Sequence, residues 1–452
     1  MPVARRALLG AGLAAVAATA TGCARPASTP GGSVRVDPTA GAEPARAAAV
    51  TGPAGGPVPP ATPPPAPGTV SPAPYAGQVT AILRRYLPAT AQTLRHSGFP
   101  GAVALVRVDG RTTVHTAVGE ALRYGAGPTL LPAGQRVATR PDSIFDLASI
   151  TKVYTSILLL QQVDRGRVAL DAPVASYLPG FTGAGKSGVT VAMLLSHTSG
   201  LPVGATVTGL PDNTARWNAV LATPLVSGAT PGSTFRYSSV GLMVAGKIVE
   251  KVAGQPLDQA LRTYLTGPLG LTDTGFRPTT WLSAAARASR LAATDARSSR
   301  GLLRGVVHDD VANHLGGIAG HAGIFASAAD VATLGQFLLD GGVHRRRRLL
   351  ATDTARLMVT NANTGKPAVD PERPNRTSAH GLGVVLDQPW FMGRLSGPGT
   401  FGHTGFAGPS LLVDPERRLV LALLTNRAHP NWSWADPDPA RVAVANALAD
   451  AL

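Results

Sequence analysis

The chain has 452 residues, 44% of them apolar, which is enough for one large or two ordinary domains with a real hydrophobic core. Its formal net charge is +15, but the basic residues are mostly arginines spread along the whole chain, with only five lysines. Because no nucleic-acid-binding motif accompanies this charge, it indicates a compositional bias rather than a nucleic-acid partner. We expect the arginine run at 345–348, which follows the helix end "FLLDGG", to be a solvated loop between helices.

The N-terminus predicts export. Residues 1–23 begin with Arg5 and Arg6, continue with an apolar stretch from Ala7 to about Ala20, and end in small residues before Cys23. A transmembrane helix needs about 20 apolar residues, so this stretch is too short to span a bilayer. The order of basic, apolar and small residues is typical of a secretory signal peptide.

Cys23 is the only cysteine in the chain, and it stands where bacterial lipoproteins carry their lipidated cysteine. Its position predicts a lipid anchor in the membrane; the alternative is a cysteine that is lost with the signal peptide. Because there is no second cysteine, no intramolecular disulfide can form. The exported domain must therefore be stabilised by its core alone.

Residues 24–75 are rich in Pro, Ala, Gly and Thr and contain almost no large apolar side chain. Such a segment cannot bury a core, which predicts a disordered linker. The folded domain is therefore expected to comprise residues 76–452.

Within that domain, strands are predicted near both ends and helices between them. Two β-rich runs flank Asp109 and Gly110, a two-residue hairpin signal, and "SLLVDPERRLVLALLTN" repeats the strand–turn–strand pattern. Apolar periodicity predicts a helix around 79–86, a core helix over 149–164 that Gly166 terminates, and a closing helix in "DPARVAVANALADAL".

The stretch "GFTGAGKS" at 180–187 fits the phosphate-binding pattern G-x-x-x-x-G-K-[ST]. That loop requires a strand before it and a helix that opens at its Lys-Ser pair. Here "LDAPVASYLP" precedes it with two prolines, Gly188 follows Ser187, and the next helix is expected to start at Thr190 as N-cap. The pattern is therefore interpreted as a glycine-rich surface loop and not as a nucleotide site.

The stretch "FDLASITKVYTS" places Ser149 three residues before Lys152 at the start of the predicted core helix. Positions i and i+3 share a helix face, so the amine can reach the hydroxyl. Free N–H groups at a helix start favour developing negative charge, and burial of a lysine favours the neutral form that can act as a base. This pair predicts an acyl-transfer nucleophile; the alternative is a capping serine beside a lysine at the edge of the core.

Two later stretches favour the catalytic interpretation. "PGSTFRYSS" carries Tyr237 and Ser239 before an apolar helix, and "FGHTGFAG" carries His403, Thr404 and Gly405 before a strand pair. With Ser149-x-x-Lys152 before them, these motifs resemble the serine hydrolases related to class C β-lactamases and low-molecular-mass penicillin-binding proteins, from about residue 80 to 450. The resemblance implies an α/β (α+β) fold: an antiparallel sheet built from both chain ends, flanked by helices, with an inserted, mostly helical subdomain.

The resemblance also implies a role for each matching residue, and no cofactor. Ser149 would be the acylated nucleophile and Lys152 its base or electrostatic partner. Tyr237 would be hydrogen-bonded to both and carry the proton to the leaving group. His403 would replace the family's lysine at the edge of the site, as a weaker and pH-dependent cation. The oxyanion hole would consist of the backbone N–H groups of Ser149 and Phe406.

Ser239, Thr404 and Gly405 would bind substrate. Because Ser239 occupies the family's asparagine position with a shorter side chain, efficient β-lactam hydrolysis is less expected than cleavage of peptides or esters. The expected substrate is a cell-wall peptide ending in D-alanyl-D-alanine. A carboxylesterase, a weak β-lactamase and a non-catalytic peptidoglycan- or β-lactam-binding module are the alternatives.

The segment "VVHDDVANHLGGIAGHAG" is rich in titratable side chains, namely His308, Asp309, Asp310, His314 and His321. Their spacing does not match a helical pair of metal ligands, so no metal site is predicted and the histidines are expected to line the cleft. A serine just beyond this segment, Ser327, is interpreted as a helix cap.

Overall fold

The computed structural model describes residues 73–87, 96–297, 299–370, 373 and 376–452. The predicted signal peptide, Cys23 and most of the predicted linker lie outside the described residues. The described part begins just before the first helix, and Tyr75 is already buried, with its hydroxyl donating a hydrogen bond to Thr113 Oγ1 at 2.9 Å. None of the helices in the described ranges combines the length and apolar character needed to cross a membrane.

Strands near both ends of the chain meet in one antiparallel sheet of seven strands, in the order β13–β14–β15–β16–β1–β2–β5. This confirms the sheet predicted from the sequence. A second sheet has three strands in the order β6–β10–β7. The strands in the described residues are β1 (Gly101–Val108), β2 (Arg111–Leu122), β3 (Tyr124–Gly125), β4 (Thr129–Leu130), β5 (Val137–Ala138), β6 (Ile144–Asp146), β7 (Thr274–Phe276), β8 (Ala293–Asp295), β9 (Leu303–Arg304), β10 (Ile324–Ser327), β11 (Val343–His344), β12 (Arg347–Arg348), β13 (Val385–Leu386), β14 (Phe401–Thr404), β15 (Ser410–Asp414) and β16 (Leu419–Thr425).

Helices fill the sequence between the two groups of sheet strands, which confirms the flanking and inserted helices expected from the resemblance. The α-helices in the described residues are α1 (Ala76–Arg85), α2 (Thr151–Asp164), α3 (Val174–Tyr177), α4 (Val191–Leu195), α5 (Asn213–Ala222), α6 (Ser239–Ala253), α7 (Leu257–Leu261), α8 (Gly267–Leu269), α9 (Ala284–Arg290), α10 (Asp310–His314), α11 (Ala328–Leu339), α12 (Thr352–Met358), α13 (Pro389–Met392) and α14 (Asp438–Ala451).

The main sheet separates two layers of core. Alternate residues of β1 point to opposite faces, as the two-residue period of a strand requires. Ala104 and Val106 join one apolar cluster with α1, α13 and α14. Val103 and Leu105 join the larger cluster that contains α2, α6 and α11. The helix that carries the Ser149–Lys152 motif is therefore held against the sheet by the larger core.

Several local predictions are confirmed. Asp109 and Gly110 form the tight turn between β1 and β2, and both have positive φ, at 48° and 74°. The run "SLLVDPERRLVLALLTN" forms the β15–β16 hairpin, and α14 closes the chain. Ser327 caps α11 by accepting a hydrogen bond from the Asp330 N–H at 3.3 Å.

The arginine run at 345–348 is more regular than expected. It forms part of the short antiparallel hairpin of β11 and β12, which lies between α11 and α12. Its side chains are exposed, as predicted for a solvated segment.

The stretch at 180–187 has no strand directly before it, and it ends in a 3₁₀ turn at Lys186–Gly188. The expected surface loop is wrong for Lys186, which is buried and donates hydrogen bonds to the carbonyls of Thr223, at 3.1 Å, and Leu221. Burial lowers the pKa of Lys186 to about 8. Thr190 caps α4 as predicted. This lysine therefore stabilises the fold by joining two segments of backbone.

Candidate active site

The turn before α2 presents Ser149. Strand β6 ends at Asp146, and Ala148 takes a left-handed conformation with φ of 45°, which is uncommon for a residue with a side chain. The Ala148 N–H donates to Asp146 Oδ1 at 2.8 Å, which fixes this sharp turn. Ser149 follows in a 3₁₀ turn, Ala148–Ile150, and remains partly exposed while the residues around it are buried.

Asp146 also ties this turn to a distant loop. Its Oδ2 accepts a hydrogen bond from the backbone N–H of His308 at 2.7 Å, and the carboxylate is buried. Burial raises the pKa of Asp146, while the hydrogen bonds from the His308 and Ala148 backbones oppose that rise. Sequence reasoning missed this residue, although its position two residues before a strained alanine links it to Ser149.

Lys152 lies one turn further along, as the i, i+3 spacing predicts. It is fully buried, and its Nζ donates a hydrogen bond to Ser149 Oγ at 2.8 Å. A second bond runs from Nζ to the backbone carbonyl of His321 at 3.1 Å. Two partners on different chain segments therefore hold the amine at the nucleophile.

Tyr237 lies over Lys152 at the start of α6. The Lys152 Nζ is 5.0 Å from the centroid of the tyrosine ring, a distance suited to a cation–π contact. The resemblance implied hydrogen bonds from the Tyr237 hydroxyl to both Ser149 and Lys152. The hydrogen bonds of the described residues include neither, so the ring, and not the hydroxyl, makes the contact in this state of the site.

Strand β14 brings His403, Thr404 and Gly405 to the nucleophile. A Cβ atom on Gly405 would lie 2.4 Å from the Leu147 carbonyl oxygen and 3.3 Å from Ala148 Cβ, so only glycine permits this approach. The predicted motif residues from three distant parts of the sequence thus meet at one place.

His403 does not behave as the cation that the family's lysine would supply. It is buried, and its Nδ1 lies 2.8 Å from the Thr404 carbonyl oxygen. Burial, reinforced by the charge of Lys152, holds the pKa of His403 well below the usual imidazole range. Because a carbonyl can only accept, the neutral ring carries its proton on Nδ1 and leaves Nε2 as an acceptor. The expected pH-dependent cation is therefore wrong for the pH range near neutrality.

The predicted oxyanion donors are available. Among the described residues, the backbone N–H groups of Ser149 and Phe406 donate no hydrogen bond to another backbone or side-chain group. The close approach of Gly405 to Leu147 and Ala148 brings together the two turns that carry these N–H groups. Two free N–H groups beside a nucleophile can stabilise an oxyanion.

Arg441 on α14 fixes the loop that carries Phe406. Its Nη2 donates to the carbonyls of Gly405, Gly408 and Pro409 at 3.0, 2.8 and 2.9 Å. Its Nη1 donates to Asp438 Oδ1 at 2.7 Å. The guanidinium is buried, so these bonds are protected from water. Sequence reasoning missed this residue because it lies in the closing helix, far from the three motifs.

One further histidine contacts the Tyr237 ring and a second packs against the first; neither was identified as a site residue. The ring of His197, from the family-like stretch "LLSHTSGLP", lies 4.6 Å from the Tyr237 ring and 4.7 Å from that of His380. His197 Nδ1 accepts a hydrogen bond from the Ser238 N–H at 3.1 Å. Burial holds the pKa of His197 well below its usual range and lowers that of His380 to about 3. Both imidazole rings are therefore neutral and pack as uncharged aromatic side chains.

The histidines predicted to line the cleft form pairs with carboxylates. His321 Nε2 lies 2.9 Å from Asp309 Oδ1, and His308 Nε2 lies 3.4 Å from Asp295 Oδ2. The other two titratable residues of that segment do not join these pairs. Asp310 pairs with Arg300, and His314 is the last residue of α10. No cluster of three potential metal-binding side chains occurs in the described ranges.

The predicted substrate-binding serine, Ser239, is the first residue of α6 and is buried at 8% exposure. Its neighbour Ser238 caps the helix, accepting from the Gly241 N–H at 3.0 Å. Ser239 follows Tyr237 by two residues, and its short hydroxyl replaces the longer amide of the family.

Comparison with known proteins agrees with this arrangement. Residues 87–446 match the family model described as Beta-lactamase. An Escherichia coli K12 protein named "Putative D-alanyl-D-alanine carboxypeptidase" is 31% identical over 365 residues, covering 74% of this chain and 79% of the relative. The N-acetylmuramyl-L-alanine amidase of Bacillus subtilis 168 is 32% identical over 360 residues, covering 74% and 78%.

Among solved structures, a penicillin-binding protein homologue from Caulobacter crescentus is similar in fold, with a TM-score of 0.61 at 22% identity. The similarity covers 85% of this chain and 99% of that one. The family match spans the nucleophile turn, the segment of Tyr237 before α6 and the strand of His403. The chain therefore belongs to the β-lactamase family and is a serine hydrolase.

Proposed function

We propose that the protein cleaves amide bonds of bacterial cell-wall peptides through an acyl-enzyme on Ser149. One observation carries the proposal: the 2.8 Å hydrogen bond between Lys152 Nζ and Ser149 Oγ in a pocket closed to water on the lysine side. An amine this close can accept the hydroxyl proton, and the serine can then attack acyl carbonyls. The names of the relatives, a carboxypeptidase and an amidase, support amides of the cell wall as substrates.

The first step would acylate Ser149. Its Oγ forms a bond to the substrate carbonyl carbon while the hydroxyl proton passes to the Lys152–Tyr237 pair. The carbonyl oxygen becomes an oxyanion between the N–H groups of Ser149 and Phe406. When the tetrahedral intermediate collapses, the C–N bond breaks and the leaving amine takes a proton from the same pair.

The second step would release the product. A water molecule attacks the Ser149 ester and gives a proton to the Lys152–Tyr237 pair. The acyl–oxygen bond then breaks, and Oγ regains its proton. Neutral His403, with a free acceptor at Nε2, can orient the Tyr237 hydroxyl or the water, since its ring lies 6.4 Å from the tyrosine ring.

The first substrate to test is a peptide that ends in D-alanyl-D-alanine, as expected from the sequence. The pure domain should release D-alanine from a muropeptide-like pentapeptide, and Ser149→Ala should release none. Because His403 is neutral, β14 offers no positive charge at this position to the terminal carboxylate of the substrate. For this reason we also propose that the protein cleaves a second bond, the amide between the muramyl lactyl group and L-alanine. No terminal carboxylate lies next to that bond.

The decisive experiment for the mechanism is the intact mass of residues 76–452 after mixing with a fluorescent penicillin. An adduct that requires Ser149 would establish the nucleophile. If neither penicillin, muropeptide nor a p-nitrophenyl ester is turned over, the protein is a binding module and the proposal fails. Ester turnover without amide turnover would identify a carboxylesterase instead.

We further propose that the protein is exported and attached to the membrane through a lipid on Cys23. The order of residues 1–23 and the uniqueness of Cys23 support this. Palmitate labelling that disappears in Cys23→Ala is the expected result. Labelling that survives this change would overturn the proposed anchor.

A further inference from the structure

Aromatic side chains collect on one side of the nucleophile turn. The Phe406 ring is 44% exposed and lies 5.4 Å from the Trp432 ring. Trp432 and Trp434 belong to one 3₁₀ turn, which contains two of the chain's five tryptophans. The proposed mechanism uses the backbone of Phe406 and leaves these rings without a role.

Trp432 lies beside the residue that precedes the nucleophile. Trp432 packs against a small buried cluster of Ala148, Ala407 and Ala428. Ala148 precedes the nucleophile, and Ala407 follows the residue that supplies the second oxyanion N–H. A group attached to the substrate carbonyl is therefore expected to extend toward these rings.

One guanidinium contacts both residues, the ring of Phe406 and the backbone of Trp432. The Arg427 Cζ lies 4.6 Å from the centroid of the Phe406 ring, and Arg427 Nη1 donates a hydrogen bond to the Trp432 carbonyl. The chain thus fixes two aromatic faces at the surface by means of a largely buried charge. Aromatic rings held rigidly at low entropy cost are typical of binding surfaces.

The side of the site on which the rings lie identifies the part of the substrate they would meet. The leaving amine must face its proton donor, the Lys152–Tyr237 pair. The rings that contact Tyr237 belong to His197 and His403, whereas those that contact Phe406 belong to His308 and Trp432. The acyl group, which leaves the carbonyl in the opposite direction, therefore extends over Phe406 and Trp432.

We propose that Phe406 and Trp432 form an acyl-side subsite for a pyranose ring, so that the preferred substrate is a muramyl peptide. This rests on the proposed function and selects between its two bonds. A pyranose presents a flat C–H face to an aromatic ring and keeps its hydroxyls at the edge, in water. In a muramyl peptide the sugar bears the lactyl carbonyl that would be attacked, so the ring lies on the acyl side.

The bonds balance in this reaction. Ser149 Oγ forms an ester with the lactyl carbonyl, the C–N bond to L-alanine breaks, and the peptide leaves as an amine after gaining a proton. Water then cleaves the ester to give a muramic acid carboxylate, and Ser149 regains its proton. A D-alanyl-D-alanine end would instead place a peptide stem over the rings.

The test compares two substrates that differ only in the sugar: N-acetylmuramyl-L-alanyl-D-isoglutamine and lactoyl-L-alanyl-D-isoglutamine. The measured quantity is the ratio of their kcat/KM values, in which general damage to the enzyme cancels. In the native enzyme we expect the sugar to raise kcat/KM by about 100-fold. Phe406→Leu and Trp432→Leu should each lower the ratio about tenfold, and Phe406→Tyr, which keeps the ring, should restore it.

Trp217→Phe is the matched control, because the Trp217 ring on α5 packs against Lys247 of α6. It should leave the ratio unchanged. A native ratio near one, or a ratio that neither leucine variant changes, would overturn the subsite while leaving the proposed function intact. If both amides stay uncleaved while p-nitrophenyl acetate is hydrolysed, the cell-wall function is wrong and the subsite with it.

Discussion

The carboxylate of Asp309 and the imidazole of His321 are joined at 2.9 Å, and the backbone carbonyl of the same histidine accepts a hydrogen bond from Lys152 at 3.1 Å. Asp309 is thereby connected to the catalytic amine through one residue. Burial acts to raise the pKa of Asp309, but the charge and hydrogen bond of His321 hold it below the usual carboxyl range. The ionised carboxylate therefore fixes the segment that orients Lys152.

We expect Asp309→Asn to slow acylation by penicillin roughly tenfold while changing its affinity little, because a hydrogen bond to a charged group contributes about 1.5–3 kcal/mol. Stopped-flow acylation rates over a range of penicillin concentrations would separate rate from affinity. Asp310→Asn is the control, since the neighbouring carboxylate is 69% exposed and pairs with Arg300. Equal rates in both variants would show that Asp309 does not position the lysine.

Arg441 supports the oxyanion loop from α14. Replacing it with methionine leaves the buried Gly408 carbonyl without its donor, which costs about 1–3 kcal/mol, and takes one of two donors from the Gly405 and Pro409 carbonyls. We expect Arg441→Met to lower the denaturation midpoint and to reduce kcat for an ester substrate at least tenfold, with a smaller change in KM. Arg394→Met removes an exposed arginine that pairs with Asp450 beside the same helix, and it should affect neither quantity.

Gly405 permits β14 to approach the nucleophile turn. In Gly405→Ala the new methyl would meet the Leu147 carbonyl at 2.4 Å, so the strand must move away and take the Phe406 N–H with it. Loss of one oxyanion donor costs about 3 kcal/mol of transition-state stabilisation, which is more than 100-fold in rate. Gly399→Ala is the matched change, because a Cβ there meets nothing within 4 Å. Comparable activity of the two variants would contradict the proposed oxyanion hole.

His380 makes stability depend on pH. Burial lowers its pKa to about 3, while in the unfolded chain the pKa returns to about 6.5. Between these values the unfolded state binds a proton that the folded state does not. The stabilisation is therefore fully present above pH 6.5 and is lost as the pH falls toward 3, at up to about 1.4 kcal/mol per pH unit.

Denaturant titrations at several pH values between about 7 and 4.5 would measure this slope. We expect His380→Gln to reduce it by up to about 1.4 kcal/mol per pH unit and to leave the contributions of buried His197 and His403. His115→Gln, on β2, removes a partly exposed imidazole as a control. A slope that is the same with and without His380 would mean that this histidine becomes protonated without unfolding.

The parts of the fold that follow local rules could be predicted from the sequence. The Asp109–Gly110 turn and the helix from 151 need only their own residues, and the three catalytic motifs carry their chemistry in adjacent positions. Asp146, Asp309 and Arg441 could not be assigned roles, because their partners lie in distant segments that only the folded chain brings together. The neutrality of His403 depends on burial, and the motif itself contains no sign of it.

Lys152 and Lys186 are both buried, but we expect replacement by methionine to reduce catalysis at the first and stability at the second. Lys152 contacts the nucleophile, so Lys152→Met should reduce acylation at least 100-fold, as expected for loss of a general base. Lys186 donates to the carbonyls of Leu221 and Thr223, so Lys186→Met should lower the free energy of unfolding by about 1–3 kcal/mol and leave the acylation rate of the folded fraction unchanged. Acylation rates and denaturant midpoints of both variants distinguish these cases, and a catalytic defect in Lys186→Met at full stability would reopen the phosphate-binding interpretation of that stretch.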